Sequence, residues 1–198
     1  MMTLPNKLTL LRIFLTFLIM GLVFVPGVAA KGLCLALFLL AMASDWWDGR
    51  LARRLKQVTP LGVLLDPIAD KILVIGMLLA FVQLDLIRAW MLLVVVMREL
   101  LITGVRLYAA SRHVVIPAAQ EGKHKTVSQM GTITLILALL VVRESLRGPS
   151  VQTFNAWMAP VVLACMWATV VLTVISGESF FWRNFANAKF LREHGRDE

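Results

Sequence analysis

Four aspartates, Asp45, Asp48, Asp66 and Asp70, fall within SDWWDGRLARRLKQVTPLGVLLDPIADK, residues 44–71 of an otherwise apolar sequence, and make up a third of its twelve acidic residues. A charged side chain at the centre of a membrane-spanning helix costs roughly 2.5–3.5 kcal/mol. Four carboxylates facing lipid would together cost on the order of 10 kcal/mol, comparable to the stability of a whole domain. They must therefore face water, a cation or one another, and like charges sharing a cavity need positive charge beside them. Asp45 and Asp48, three apart, share one face of a helix, and Asp66 and Asp70, four apart, share a face of the next. If these helices are antiparallel neighbours joined by a turn around residues 56–60, the two acidic faces meet across a groove. Such an arrangement suits a pair of hard divalent cations, which take oxygen ligands, and two such ions are a common device for phosphoryl transfer. Gly49, Ala52 and Gly62 leave room for a bulky ligand against the backbone, and Arg53 can reach a phosphate in two-pronged fashion. Close helix packing is an equally good reading of Gly62.

The elements that must position these residues are apolar helices. The chain is 59% hydrophobic with a mean hydropathy of +0.80 over 198 residues, against about 45–50% apolar residues in a soluble domain. Its apolar runs approach the length of about 20 residues that a spanning helix needs. Breakers divide them into six predicted spans, at residues 8–25, 32–55, 61–83, 87–110, 126–142 and 152–176. The fold class expected is all-α, an integral membrane bundle of six helices forming a single domain over residues 1–198. The first run, followed by PGVAA, loosely resembles a cleavable signal peptide, but among so many apolar runs it reads as the first span. The aromatic and then basic stretch FWRNFANAKFLREHGRDE reads as a segment leaving the membrane interface.

A formal charge of +8 raises nucleic acid as a partner, but the placement of the basic residues argues for membrane orientation instead. Lys7, Arg12, Arg50, Arg53, Arg54, Lys56, Arg106, Arg112, Lys123, Lys125, Arg183, Lys189, Arg192 and Arg196 collect on one side, and only Lys31, Arg88, Arg143 and Arg147 on the other. The fourteen-to-four asymmetry puts both termini, and the cluster of aspartates, on the cytoplasmic side. Cys34 and Cys165 lie far apart in apolar runs, with no CxxC spacing, and read as small core residues.

The pattern Asp45-x2-Asp48-Gly49-x2-Ala52-Arg53-x8-Gly62-x3-Asp66-x3-Asp70 resembles the signature of the CDP-alcohol phosphotransferase family at all eight positions. The resemblance implies a six-helix membrane bundle that transfers a substituted phosphate from a CDP-linked donor to an alcohol and releases CMP. It further implies that Asp45, Asp48 and Asp66 hold two divalent cations, Mg2+ or Mn2+. Asp70 would be the general base and also touch a metal. Asp45, Gly49, Ala52, Arg53 and Gly62 would line the CDP pocket. The resemblance also implies a homodimer in the cell membrane.

The alcohol must be read from other stretches. LPNKLTLLR, LDPIADK, MRELLITGVR and GKHKTVSQ together resemble family members that join CDP-diacylglycerol to glycerol 3-phosphate, giving phosphatidylglycerophosphate and CMP. The charges agree: Arg98 lies inside the fourth predicted span, where an unpaired cation is costly. Glu99 projects about 100° away around the helix and reads as a poor partner for it. Arg98 and Arg106, eight apart, share a face, and Lys123 and Lys125 follow on the same side of the membrane. Four such cations suit the phosphate of a small, doubly charged monoester, although positive-inside placement alone would also account for Lys123 and Lys125. Lys71, next to the expected base, reads as a partner that orients an acid. His113 and His124 read as solvated, and Trp46 and Trp47 as interfacial aromatics.

Serine, inositol and inositol phosphate are the rival acceptors, and serine, with no phosphate monoester, fits the basic cluster least well. A divalent-cation transporter would also need membrane carboxylates. Transporter sites, however, lie near the bilayer midplane between repeated halves, whereas these acids lie toward one face of a sequence without a repeat.

Overall fold

The computed structural model describes the backbone of residues 4–55, 60–111 and 121–194, and the side chains of residues 10–44, 71–109, 111 and 125–183. Six helices make up the secondary structure of these residues: α1 (Leu4–Phe24), α2 (Val28–Leu55), α3 (Pro60–Gln83), α4 (Ala89–Ser111), α5 (Glu121–Ser145) and α6 (Pro149–His194). No strand occurs among the described residues, as the all-α expectation requires.

The connections follow from local chemistry. Helix α3 ends in a Schellman arrangement: the Leu86 amide donates to the Phe81 carbonyl and the Asp85 amide to the Val82 carbonyl, both at 3.0 Å. Asp85 takes the left-handed conformation at φ 56° that this cap demands. Gly148, at φ 65°, precedes Pro149, which opens α6 at the position where a missing amide hydrogen is harmless. Between α1 and α2, Gly27 stands at φ 109°, and its amide donates to Glu144 Oε2 at 3.0 Å. Buried Lys31 donates to the carbonyls of Val23 and Val25, satisfying the exposed end of α1.

Packing is not sequential. Helix α1 packs on α2 and α3, α5 packs on α2, α3 and α6, and α4 bridges α3 and α6. Ile19, Phe38, Met77, Phe81, Ile133, Ile136 and Met166 are wholly buried at the centre. The close approach of α1 to α3 depends on Gly76, where a Cβ would stand 2.8 Å from Met20 Sδ and 3.2 Å from Thr16 Cγ2. Helices α5 and α6 are joined by hydroxyls: Thr169 Oγ1 lies 3.0 Å from Ser128 Oγ and 2.9 Å from Thr132 Oγ1. Helices α2 and α3 share α1 and α5 as neighbours. The expected meeting of their acidic faces concerns side chains outside the described residues.

The outer surface is apolar. Phe14 and Phe17 are each 65% exposed and Trp157 is 73% exposed, with Leu40, Leu93, Leu100 and Val174 also on the outside. Soluble monomers rarely carry apolar surface on this scale. Among the described residues, two helical stretches, Lys125–Ser145 and Pro149–Arg183, are long and apolar enough to cross a membrane. Shorter apolar stretches occur at Leu10–Phe24, Val28–Ser44 and Lys71–Gln83.

One boundary departs clearly from expectation. The sixth span, predicted to end at residue 176, continues as helix to His194 and carries Pro160 inside it. Hydropathy falls after Ser176, but falling hydropathy does not stop a helix. Gly177 is the only classical breaker in SGESFFWRNFANAKFLREH, and buried Phe180 continues the contact with α4.

Candidate functional site

Lys125 near the start of α5 and Glu144 near its end are about 28 Å apart by helix rise. The Gly27–Glu144 bond puts the turns before α2 and α6 at the Glu144 end. The charged side chains that cluster inside the bundle lie toward the opposite end, and they come from α3, α4 and α5, with α6 packed against them.

Glu99 of α4 is the centre of this cluster. Its Oε1 accepts from Arg98 NH1 at 3.0 Å and also from Lys125 Nζ of α5. All three side chains are close to buried, at 12% exposure for Glu99, 13% for Arg98 and 9% for Lys125. The adjacent pair therefore does meet, contrary to the expectation drawn from the 100° offset. Both side chains are long enough to curve round the helix, and Lys125 from the neighbouring helix adds a second attraction that holds the carboxylate there.

Arg98 has a second anchor: its NH2 donates to Ser176 Oγ of α6 at 2.9 Å. At the adjacent Gly177, a Cβ would meet Arg98 Cγ at 3.3 Å, so α6 seats the stem of the arginine closely. Arg106 lies two turns on, with its guanidinium carbon 5.5 Å from the centroid of the Phe180 ring. Since Ser176 and Phe180 are four apart on α6, Arg98 and Arg106 do share the face of α4 that meets α6.

Lys71 of α3 donates to Thr103 Oγ1 and, at 3.4 Å, to the Glu99 carbonyl, which also accepts from Thr103 Oγ1 at 2.7 Å. Among the described residues it is thus held by a hydroxyl and a carbonyl, while the side chains of Asp66 and Asp70, the nearest acids in sequence that it could orient, lie outside them. Among the described residues, two buried donors nearby have no hydrogen-bond partner: Arg98 Nε, and Nε2 of Gln129, one turn beyond Lys125 on α5. Buried donors are nearly always satisfied in folded proteins. The arrangement offers a concentration of positive charge and open donors suited to an anion with several oxygens.

Of the cations expected to bind phosphate, Arg98 and Lys125 are brought together, and Arg106 is placed on the same face as Arg98. The side chain of Lys123 lies outside the described residues, as do those of Asp45, Asp48, Gly49, Ala52, Arg53, Gly62, Asp66 and Asp70. So do the side chains of His124, Trp46 and Trp47, while His113 is outside the described backbone. The backbone is helical at Asp45 and Asp48 in α2 and at Asp66 and Asp70 in α3, which the spacing argument requires. The all-oxygen chemistry of this set fits hard divalent cations. Because Asp70 immediately precedes Lys71, the chain itself carries the acidic stretch to the edge of the basic cluster. Ser176, Gly177 and Thr103 did not stand out in the sequence. The only signal was a small or hydroxylated residue in an apolar helix, which is common in membrane helices for packing alone.

The chain resembles several curated proteins along nearly its whole length. It is 36% identical over 201 residues to the CDP-diacylglycerol–glycerol-3-phosphate 3-phosphatidyltransferase of Bacillus subtilis strain 168, covering 96% of this chain and 98% of that protein. A Rickettsia typhi protein of the same name is 32% identical over 91% of this chain and 96% of its own length. A rice protein named cardiolipin synthase (CMP-forming) is 34% identical over 70% of this chain, but the match covers only 46% of the rice protein. The family model described as CDP-alcohol phosphatidyltransferase matches residues 2–175, and with the acidic pattern on α2 and α3 inside that range, the chain belongs to the CDP-alcohol phosphatidyltransferase family.

Proposed function

We propose that this protein is an integral membrane enzyme that transfers the phosphatidyl group of CDP-diacylglycerol to sn-glycerol 3-phosphate, yielding phosphatidylglycerophosphate and CMP. The observation that carries the acceptor assignment is the convergence of Arg98 and Lys125, from different helices, on Glu99, beside Lys71, which directly follows Asp70 in the sequence. The Bacillus relative, matched over nearly its full length, bears that activity in its name. The rice relative is matched over less than half of its own length and carries less weight.

Asp45, Asp48, Asp66 and Asp70 would hold two divalent cations, Mg2+ or Mn2+, which when bound supply neutralising charge to the donor's diphosphate. Asp45, Gly49, Ala52, Arg53 and Gly62 line the CDP pocket. The donor enters from the bilayer with its acyl chains still in lipid, consistent with the apolar outer surface. Glycerol 3-phosphate enters from the cytoplasm, and Arg98, Arg106, Lys123 and Lys125 hold its phosphate. Asp70 removes the proton of the primary hydroxyl. The freed oxygen bonds to the phosphorus nearest the diacylglycerol, and the bond from that phosphorus to the CMP oxygen breaks. The bundle spans the cell membrane six times with both termini in the cytoplasm, and it works as a homodimer.

The test is CMP release by purified protein in detergent with CDP-diacylglycerol and Mg2+, comparing glycerol 3-phosphate, inositol phosphate, inositol and serine. Turnover is expected with glycerol 3-phosphate alone and should disappear on chelation. Turnover with another alcohol instead would overturn the acceptor assignment. Asp70→Asn should abolish turnover while CDP-diacylglycerol still binds, and a near-normal rate would remove Asp70 from the role of base.

A further inference from the structure

We propose that Glu99 is a resident counter-anion: its carboxylate occupies Arg98 and Lys125 in the acceptor-free protein and gives way to the phosphate of the incoming acceptor. This inference deepens the proposed function and rests on the reading of Arg98 and Lys125 as phosphate ligands. Its consequence is specificity by charge. A neutral alcohol such as inositol, or a zwitterion such as serine, brings no dianion to displace the carboxylate, so the cations stay occupied.

The charge count comes first. Lys71, Arg98, Arg106 and Lys125 gather where α3, α4, α5 and α6 meet, and Glu99 is the one carboxylate paired with them among the described residues. Among the described residues, one carboxylate thus stands against Lys71, Arg98 and Lys125 inside the bundle and Arg106 at its exposed edge, so their positive charge exceeds the single negative charge of Glu99. A phosphate dianion would compensate more of that charge than Glu99 does.

The remaining donors point the same way. A carboxylate has two oxygens, and here one of them, Oε1, takes both ionic contacts. Among the described residues, Arg98 Nε and Gln129 Nε2 remain buried without acceptors. A phosphate monoester presents three terminal oxygens and can serve more donors at once. The cluster is thus incompletely served by its internal anion.

The anchoring of each partner permits the exchange. Glu99 is fixed through its main chain, whose carbonyl accepts from Thr103 and Lys71, while the contacts of its side chain are to Arg98 and Lys125. The carboxylate can therefore swing on its own torsions without unwinding α4. Arg98 is held independently by Ser176 and by the close seat at Gly177, so it stays in place when Glu99 leaves.

The experiment measures binding of inorganic phosphate to the full-length protein in detergent at pH 8, by calorimetry, for the unsubstituted chain, Glu99→Gln and Glu99→Asp. Glu99→Gln removes the competing charge and should bind phosphate tighter by on the order of tenfold, the equivalent of one charge-assisted contact no longer competed for. The KM for glycerol 3-phosphate should fall in parallel while the KM for CDP-diacylglycerol stays unchanged. Glu99→Asp keeps the charge but shortens its reach, and should lie between the other two. It serves as the test if Glu99→Gln does not fold. Equal or weaker phosphate binding by the variant tested would overturn the proposal and make Glu99 a brace for Arg98 and Lys125. Inorganic phosphate carries no alcohol, so tighter phosphate binding with an unmoved KM for glycerol 3-phosphate would uphold the counter-anion and overturn the acceptor assignment instead.

Discussion

Arg98 is the residue on which α4 and α6 converge, and its chemistry explains why lysine would not replace it. The guanidinium donates from NH1 to Glu99 and from NH2 to Ser176 in one rigid plane, with Nε left over. An ammonium is a compact point charge and cannot span two such acceptors in the same geometry. Arg98→Lys is therefore expected to raise the KM for glycerol 3-phosphate about tenfold or more, the loss of a charge-assisted hydrogen bond. The KM for CDP-diacylglycerol should be unaffected, and steady-state CMP release with each substrate varied in turn checks both. At this scale the sequence was only partly legible. The depth of Arg98 marked it as needing a partner, yet helix geometry made Glu99 read as a poor one, because angular offset at the backbone says little about where two long side chains end. Ser176 is 78 residues away in sequence, and no local pattern connects it to Arg98.

The boundaries of the elements were more legible where they depend on local chemistry. The turn after α3 is set by the Schellman cap at Asp85, whose left-handed backbone is tolerated by aspartate and suits glycine better. Asp85→Val should destabilise the protein by about 1–2 kcal/mol, whereas Asp85→Gly should not. Unfolding midpoints of the two variants in detergent would distinguish them. The predicted third span, residues 61–83, agrees within one residue with α3, because Pro60 opens it and the turn chemistry closes it. The sixth was misjudged at its C-terminal end because hydropathy tracks the solvent around a helix and not the backbone's tendency to stay helical. The extension past Gly177 matters for the site, since it carries Phe180 to the ring contact with Arg106.

For the whole molecule, the proposed topology places the turn before α6 outside the cell and the end of α6 inside. The Gly27–Glu144 bond and the Arg98–Glu99–Lys125 cluster lie at opposite ends of the bundle, as such alternation requires. With Cys34 and Cys165 changed to alanine, Arg147→Cys should react with a membrane-impermeant maleimide on intact cells. Arg183→Cys should react only after the membrane is opened. Labelling of both from outside would overturn the orientation read from the basic residues. Arg147 and Arg183 are both exposed in the structure, so their accessibility reports the side of the membrane and not burial.

Composition, the run lengths of apolar residues and the spacing of eight positions were enough to determine the helical class and the family, because both are encoded by local periodicity and by short fixed intervals. The sequence also placed Arg98 and Arg106 on one face, since a helix repeats every few residues. Which helices touch was left to the tertiary structure: α1 lies on α3, α5 against α2, and α4 against α6. That order depends on shape, such as the gap at Gly76, and on the convergence of charges from separate helices on Glu99. Neither is a property of any one segment, and the partners of Arg98, Lys71 and Lys125 could appear only once four helices had been packed side by side.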